Sequence, residues 1–142
     1  MIVQIEIAES DAEIARCFRV MVQLRSHLTE DEFVPRVREL QRNGYELAYL
    51  EDAGEVRAVA GFRMGDMLAR GRHLYIDDLV TDEASRSHSY GAALLKWLLD
   101  LARARGCRQV DLDSGVQRHR AHRFYFREGM HVTSYHFKLT LA

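Results

Sequence analysis

One proline and two cysteines stand in a chain of 142 residues, and each scarcity removes a class of protein. A lone proline leaves no proline-rich linker or polyproline segment. Two cysteines, Cys17 and Cys107, are too few for a disulfide scaffold, and both are expected as buried thiols rather than a bridge. No apolar run reaches the roughly 20 residues of a membrane-spanning helix. The first residues, MIVQIEIAES, lack the basic start and small-residue cleavage site of a signal peptide, so a cytoplasmic location with no membrane partner is expected. Net charge is −1, which lacks the basic face that counterion release from nucleic acid requires, so no nucleic-acid partner is expected. The basic residues between Arg103 and Arg127 are read as a solvated helix face or a site for an anionic cofactor. No cysteine–histidine spacing marks a metal site. Neither a Gly-x-x-x-x-Gly-Lys-Ser/Thr loop nor a dinucleotide glycine triplet is present. No repeat or linker divides the chain, and residues 1–142 read as a single domain.

Hydrophobic residues make up 47% and charged residues 29%, the balance of a globular protein that buries a core. Val3, Ile5 and Ile7 alternate as a first strand. Ser10 and Glu13 form a capping box, which predicts a helix to about Leu28 with Ile14, Cys17, Phe18, Met21 and Val22 on its core face. Thr29 and Glu32 repeat that box, but Pro35 would remove an internal hydrogen bond, so the next helix is expected to start near Pro35 and to end at Asn43–Gly44. YELAYLED and EVRAVAGFRM flank Ala53–Gly54 as a hairpin. HLYIDDLVT is a third strand of this series. Tyr90, Ala93, Leu94, Trp97, Leu98, Leu101 and Ala102 then recur at the spacing of a buried helical stripe, closed by Gly106. RQVDLDS reads as a strand, Gln117 to Glu128 as a short helix closed by Gly129, and HVTSYHFKLTLA as a final strand. The order implies an α/β protein with an antiparallel front half.

Between the strand that ends at Thr81 and the helix from Tyr90 lies a polar turn of small and hydroxyl residues. Such a turn leaves the first helical N–H groups pointing outward with the helix dipole behind them, which suits a phosphate. The turn is Arg86-x-x-Ser89-x-Gly91, and here the sequence resembles motif A of the GNAT acyltransferases, Gln/Arg-x-x-Gly-x-Gly/Ala. Further on, AHRFYFREGM is similar to the family's Ala-x-x-Phe-Tyr-x-x-x-Gly segment at the matching distance. The resemblance is carried by residues Leu74 to Met130 and, before them, by element order.

What the resemblance implies is a GNAT fold, a mixed and mostly antiparallel central sheet flanked by helices, acting as an acetyl-CoA-dependent N-acetyltransferase without metal. Leu79, Val80 and Thr81 then occupy strand positions that pair with the pantetheine arm. Arg86, Ser87, His88, Ser89, Tyr90, Gly91 and Ala92 stand where the pyrophosphate is cradled. Tyr125 stands where many members place the general acid. Two positions depart from the pattern. Ser89 replaces a preferred glycine and would be strained if the backbone there needs a positive φ. Arg118 replaces a frequent asparagine and reaches either a cofactor phosphate or solvent. Family members often form homodimers, an expectation carried over here.

Acetyl transfer to an amine requires an ammonium to lose a proton, an oxyanion to be stabilised and a thiolate to be protonated. Asp77 and Asp78 are the candidate bases. Because neighbouring strand residues face opposite ways, only one can point at a given site; Asp77 shares parity with Leu79 and is preferred, a choice that a strand bulge would reverse. A desolvated carboxylate in this apolar strand would have a raised pKa. Asp111 and Asp113 are either an acidic mouth for a cationic amine or caps of the following turn. His119, His122 and His136 are read as satisfied or surface groups. The alternative to an enzyme is a non-catalytic acyl-CoA or metabolite-binding module of the same fold. The acceptor, a small-molecule or peptide amine, is not specified by any residue pattern.

Overall fold

A computed structural model describes residues 3–142, apart from the side chain of Ser87, so the expectation for that side chain lies outside the described atoms. The chain separates into two compact units, Met1–Asp111 and Leu112–Ala142. In chain order the elements are β1 (Val3–Ile7), α1 (Asp11–Arg16), α2 (Phe18–Leu24), α3 (Glu30–Gln41), β2 (Tyr45–Asp52), β3 (Glu55–Met67), β4 (Gly71–Thr81), a 3-10 turn (Glu83–His88), α4 (Tyr90–Ala104), β5 (Gln109–Leu112) and α5 (His119–Arg127). The sheet has the order β1-β2-β3-β4-β5, and the first three ladders are antiparallel.

Alternation along the strands divides the core in two. Tyr45, Leu47 and Tyr49 of β2 pack with Val59 and Val80 against Ile14, Cys17, Val20, Met21, Phe33 and Val37 of α1–α3. Leu94, Leu95, Leu98 and Ala102 of α4 are buried, and Trp97 meets Phe62 of β3 edge to face with ring centroids 6.5 Å apart. Each of the three α4 leucines contributes about 1.5–3 kcal/mol by leaving water. Cys17 is buried and Cys107 half-buried, both unbridged. Burial pushes the Cys17 thiol up to about 12, which makes it a packing group rather than a nucleophile. The hairpin forms at Ala53 and Gly54, both at positive φ.

Three expectations are corrected. The first helix breaks at Cys17, whose N–H bonds the Ile14 carbonyl three residues back; the tightened turn re-aims the chain so that Ile14, Cys17, Val20 and Met21 all stay buried. Next, α3 starts at Glu30 and runs through Pro35, without a side-chain cap from Thr29. Pro35 forfeits only the bond to the Asp31 carbonyl, which lies in the exposed first turn and can turn to water. Finally, residues 131–142 form no strand and are exposed throughout. Strand alternation describes what a segment can pair as, and a ladder also needs a partner edge.

Candidate active site

The middle of β4 carries a bulge. Gly61 of β3 faces Asp78 while Phe62 faces Ile76, so Asp77 is an extra residue in the ladder. Strict alternation therefore fails, and the parity argument for choosing between the two aspartates fails with it: both carboxylates join one cluster. Arg63 grips Asp77 through Nε and Nη2, at 2.8 Å for the closest contact. Arg25, just past α2, donates from Nε to Oδ1 of Asp78 and from Nη2 to the Asp77 carbonyl, each at 2.8 Å. The Tyr45 hydroxyl donates to the other Asp78 oxygen at 2.7 Å. Burial and the Asp78 charge push the Tyr45 phenol well above its ordinary range, which keeps it a donor. A Cβ at Gly61 would overlap the Tyr45 hydroxyl and sit 2.5 Å from Asp78 Oδ2, so the cluster closes only over glycine. Neither aspartate stands alone in the apolar strand: each faces an arginine, Asp77 facing Arg63 and Asp78 facing Arg25.

Downstream of the bulge, β4 delivers the polar turn. Val80 is buried toward α1–α3, while Leu79 and Thr81 are half-buried. Asp82, nearly buried, anchors the turn: its carboxylate accepts from Arg19 and Gln23, both at 3.1 Å, and its carbonyl accepts from Ser85 N at 2.8 Å. Burial raises the Asp82 pKa, but the bonds from Gln23 and Arg19 outweigh it and the net shift is downward. Gln23 also accepts from Glu83 N at 2.9 Å. Thus α2 clasps the turn from the side, through residues with no local signal in the sequence.

Ser89 then turns left-handed, at φ +61° and ψ +24°, and α4 begins at Tyr90 without a side-chain cap or an acidic residue in its first turn. The first helical bond is Ala93 N to Ser89 O at 3.1 Å, so the helix itself supplies no i−4 acceptor for the amides of Gly91 and Ala92. Arg86 and His88 lie in the turn before them and are exposed. The His88 ring stacks on Tyr90 with centroids 5.5 Å apart. Tyr90 itself is buried and its phenol donates to Asp52, so its ring is not presented to a ligand. A serine in this conformation costs about 1–2 kcal/mol, partly offset by the chain entropy that glycine would add. Ser89→Gly should therefore raise stability by about 0.5–1 kcal/mol, seen as a higher midpoint in chemical denaturation; a lower midpoint would show that the serine is held by something stronger than its backbone preference.

At the far end of β4, Arg108 N bonds the Arg72 carbonyl at 2.7 Å, and buried His73 meets Asp111 at 2.7 Å. Arg70 lies 3.6 Å from the same aspartate, so Asp111 is a neutralised partner rather than an open acid. Within the second unit, His136 and Asp113 pair at 3.3 Å, and His122 sits 2.8 Å from the Gly115 carbonyl. Tyr125 is half-buried on α5 beside Phe124. Burial raises its phenol pKa while the charge and hydrogen bond of Arg118 pull it down, with a net rise. Arg118 therefore has a partner on its own unit, in addition to the two that sequence alone offered it. Among the described residues, no group of three His, Cys, Asp or Glu is placed to hold a metal ion, and no helix is long and apolar enough to cross a membrane.

The model of the acetyltransferase (GNAT) family matches residues 11–130. The chain belongs to the GNAT family. It is 37% identical over 131 residues to the uncharacterized N-acetyltransferase YhdJ of Bacillus subtilis, covering 91% of this chain and 92% of that one. A shorter match, 37% over 67 residues, covers 47% of this chain and 42% of the aminoalkylphosphonate N-acetyltransferase of Salmonella typhimurium. The fold superposes on the structure of AAC(6')-Iy in complex with the bisubstrate analogue CoA-S-monomethyl-acetylneamine with a TM-score of 0.86, covering 100% of this chain and 99% of that one at 12% identity. This GNAT protein is an acetyltransferase, and its mixed, mostly antiparallel sheet flanked by helices is the expected architecture.

Proposed function

We propose that the enzyme binds acetyl-CoA across the turn between β4 and α4 and transfers the acetyl group directly to an amine. The observation that carries this reading is the start of α4: a left-handed Ser89, no side-chain cap, no acid in the first turn and two basic residues before it. That arrangement fits a pyrophosphate, with Gly91 and Ala92 donating from the backbone and Arg86 supplying charge. Leu79, Val80 and Thr81 would pair with the pantetheine arm through their backbones. Acetyl-CoA supplies the activated thioester. Asp77 is the better candidate to take the ammonium proton through a water, because its carboxylate is more open, at 24% exposure against 13% for Asp78. Asp78 has both oxygens committed and acts as a positioning residue for Tyr45 and Arg25. Tyr125, its phenol held protonated by burial, gives its proton to the departing thiolate, with Arg118 stabilising the phenolate left behind.

The acceptor reading follows from the same cluster. Arg25 uses Nε and Nη2, and Arg63 uses Nε and Nη2, leaving Nη1 of each for a ligand. Two carboxylates interleaved with two guanidiniums suit an amine that also carries an anionic group, which is the chemistry named in the aminoalkylphosphonate relative. Thermal unfolding with acetyl-CoA, CoA and ATP tests the cofactor site: both CoA species should raise the midpoint by the equivalent of a few kcal/mol at about a hundredfold excess over Kd, and ATP should not. Thiol release with an aminoalkylphosphonate and with an uncharged alkylamine then tests the acceptor. Stabilisation by CoA with no release for any amine would instead favour a binding module.

A further inference from the structure

Helix α2 is seven residues long, about two turns, and its apolar side faces the core: Val20 and Met21 are buried there, with Phe18 and Leu24 packed against it. Its polar side is committed to β4 and the turn beyond it at two separate places. Arg19 and Gln23, one turn apart on the same face, both reach the nearly buried Asp82. The Gln23 amide donates to Asp82 Oδ1 at 3.1 Å, and its carbonyl accepts from Glu83 N at 2.9 Å. Arg25, whose N–H closes the helix on the Met21 carbonyl at 2.9 Å, reaches the bulge instead, at Asp78 and the Asp77 carbonyl. Between the two holds lie Leu79, Val80 and Thr81, a stretch of roughly 10 Å at the rise of a strand. One short helix thus fastens both ends of the segment that leads from the aspartate cluster to the phosphate-suited turn. A packed two-turn helix shifts as a unit, so a displacement at one hold is delivered to the other.

We infer that Gln23 is a positioning residue for acetyl transfer, one that sets the start of the cofactor turn through Asp82 and Glu83 and, along α2, ties that turn to Arg25 and the acceptor cluster. The inference rests on the reading that acetyl-CoA binds at this turn. Gln23 suits the role by its chemistry, since a neutral amide offers a donor to the carboxylate and an acceptor to the neighbouring N–H at once. A glutamate there would keep the acceptor and set a second negative charge against Asp82. A methionine keeps the length and the helix preference and removes both bonds. Arg19 divides its guanidinium between Asp82 and the Val56 carbonyl, the latter at 2.7 Å, so it anchors Asp82 to β3 when Gln23 is replaced and the turn stays folded.

Calorimetric titration of the full chain with free CoA, well below the melting midpoint, tests the inference without any acceptor. Gln23→Met should weaken CoA about tenfold, the worth of one hydrogen bond to a charged group, and Gln23→Glu should weaken it further. Arg25→Met, a change in the acceptor cluster and away from the turn, should also weaken CoA. The double variant Gln23→Met/Arg25→Met should lose at least about threefold less than the product of the two single losses, because both release the same helix. Should Arg25→Met prove unfolded by circular dichroism, Arg25→Lys, which keeps the charge and loses the paired contact, takes its place with the same expected non-additivity. Unchanged CoA affinity in Gln23→Met overturns the inference and leaves the cofactor reading standing, as does a Gln23→Glu that binds no more weakly than Gln23→Met. Independent losses in the double variant overturn the tie to Arg25. A wild type that binds no CoA overturns the cofactor reading and the inference with it.

Discussion

Tyr125→Phe should lower kcat by about a hundredfold to ten-thousandfold while leaving the stabilisation by acetyl-CoA unchanged. Removing one hydroxyl keeps the half-buried ring and its contact with Phe124 in place, so the protein should still fold. In the mechanism we propose, the lost group is the proton source for the thiolate. A phenol with an ordinary pKa of about 10 is protonated at neutral pH, and burial keeps it so, so a proton is at hand when the thiolate departs. The Arg118 guanidinium offsets part of the burial effect and lowers the cost of the phenolate. Single-turnover kinetics at saturating amine separate this step from binding. An unchanged kcat would reduce Tyr125 to a packing aromatic and move the acid role to water.

Gly61→Ala should destabilise the fold by about 2–4 kcal/mol, lowering the melting midpoint by on the order of 10 °C. The added methyl falls onto the Tyr45 hydroxyl and against Asp78 Oδ2, so Tyr45 must swing away. That breaks a hydrogen bond to a charged partner in a part of the sheet that is otherwise closed. The same displacement frees Asp78 from the group that orients it, so amine-dependent kcat/KM should fall beyond what the unfolded fraction explains. Equilibrium denaturation together with kinetics well below the midpoint reads both effects. A variant as stable as the wild type would show that the bulge relaxes to admit a side chain.

The elements most legible in the sequence were those specified by neighbours in the chain. Ser10 and Glu13 form both halves of their capping box, at 3.1 and 2.9 Å, because cap and acceptor lie within one turn. Gly106 closes α4, with Cys107 N reaching back to the Ala102 carbonyl at 2.9 Å. The turn at Ser89 was legible too: its positive φ is what the departure from glycine put in question, and the structure pays that local cost. The Pro35 expectation misjudged which interaction dominates. Burial of Phe33 and Val37 against the sheet holds the helix through a single lost hydrogen bond.

By itself the sequence determined the element types, the phosphate-suited turn and the family motifs, because periodicity, capping and turn chemistry act over a few residues. Only the tertiary structure decided which groups meet. Arg25 reaches Asp78 from 53 positions away, Gln23 holds Asp82 from 59, and a one-residue bulge opposite Gly61 turned two aspartates expected on opposite faces into partners in one cluster. Strand alternation is blind to such a bulge, since ladder register is set by the strand alongside. The last segment shows the same limit from the other side: residues 131–142 have the pattern of a strand, and a pattern becomes a strand only where another backbone lies beside it.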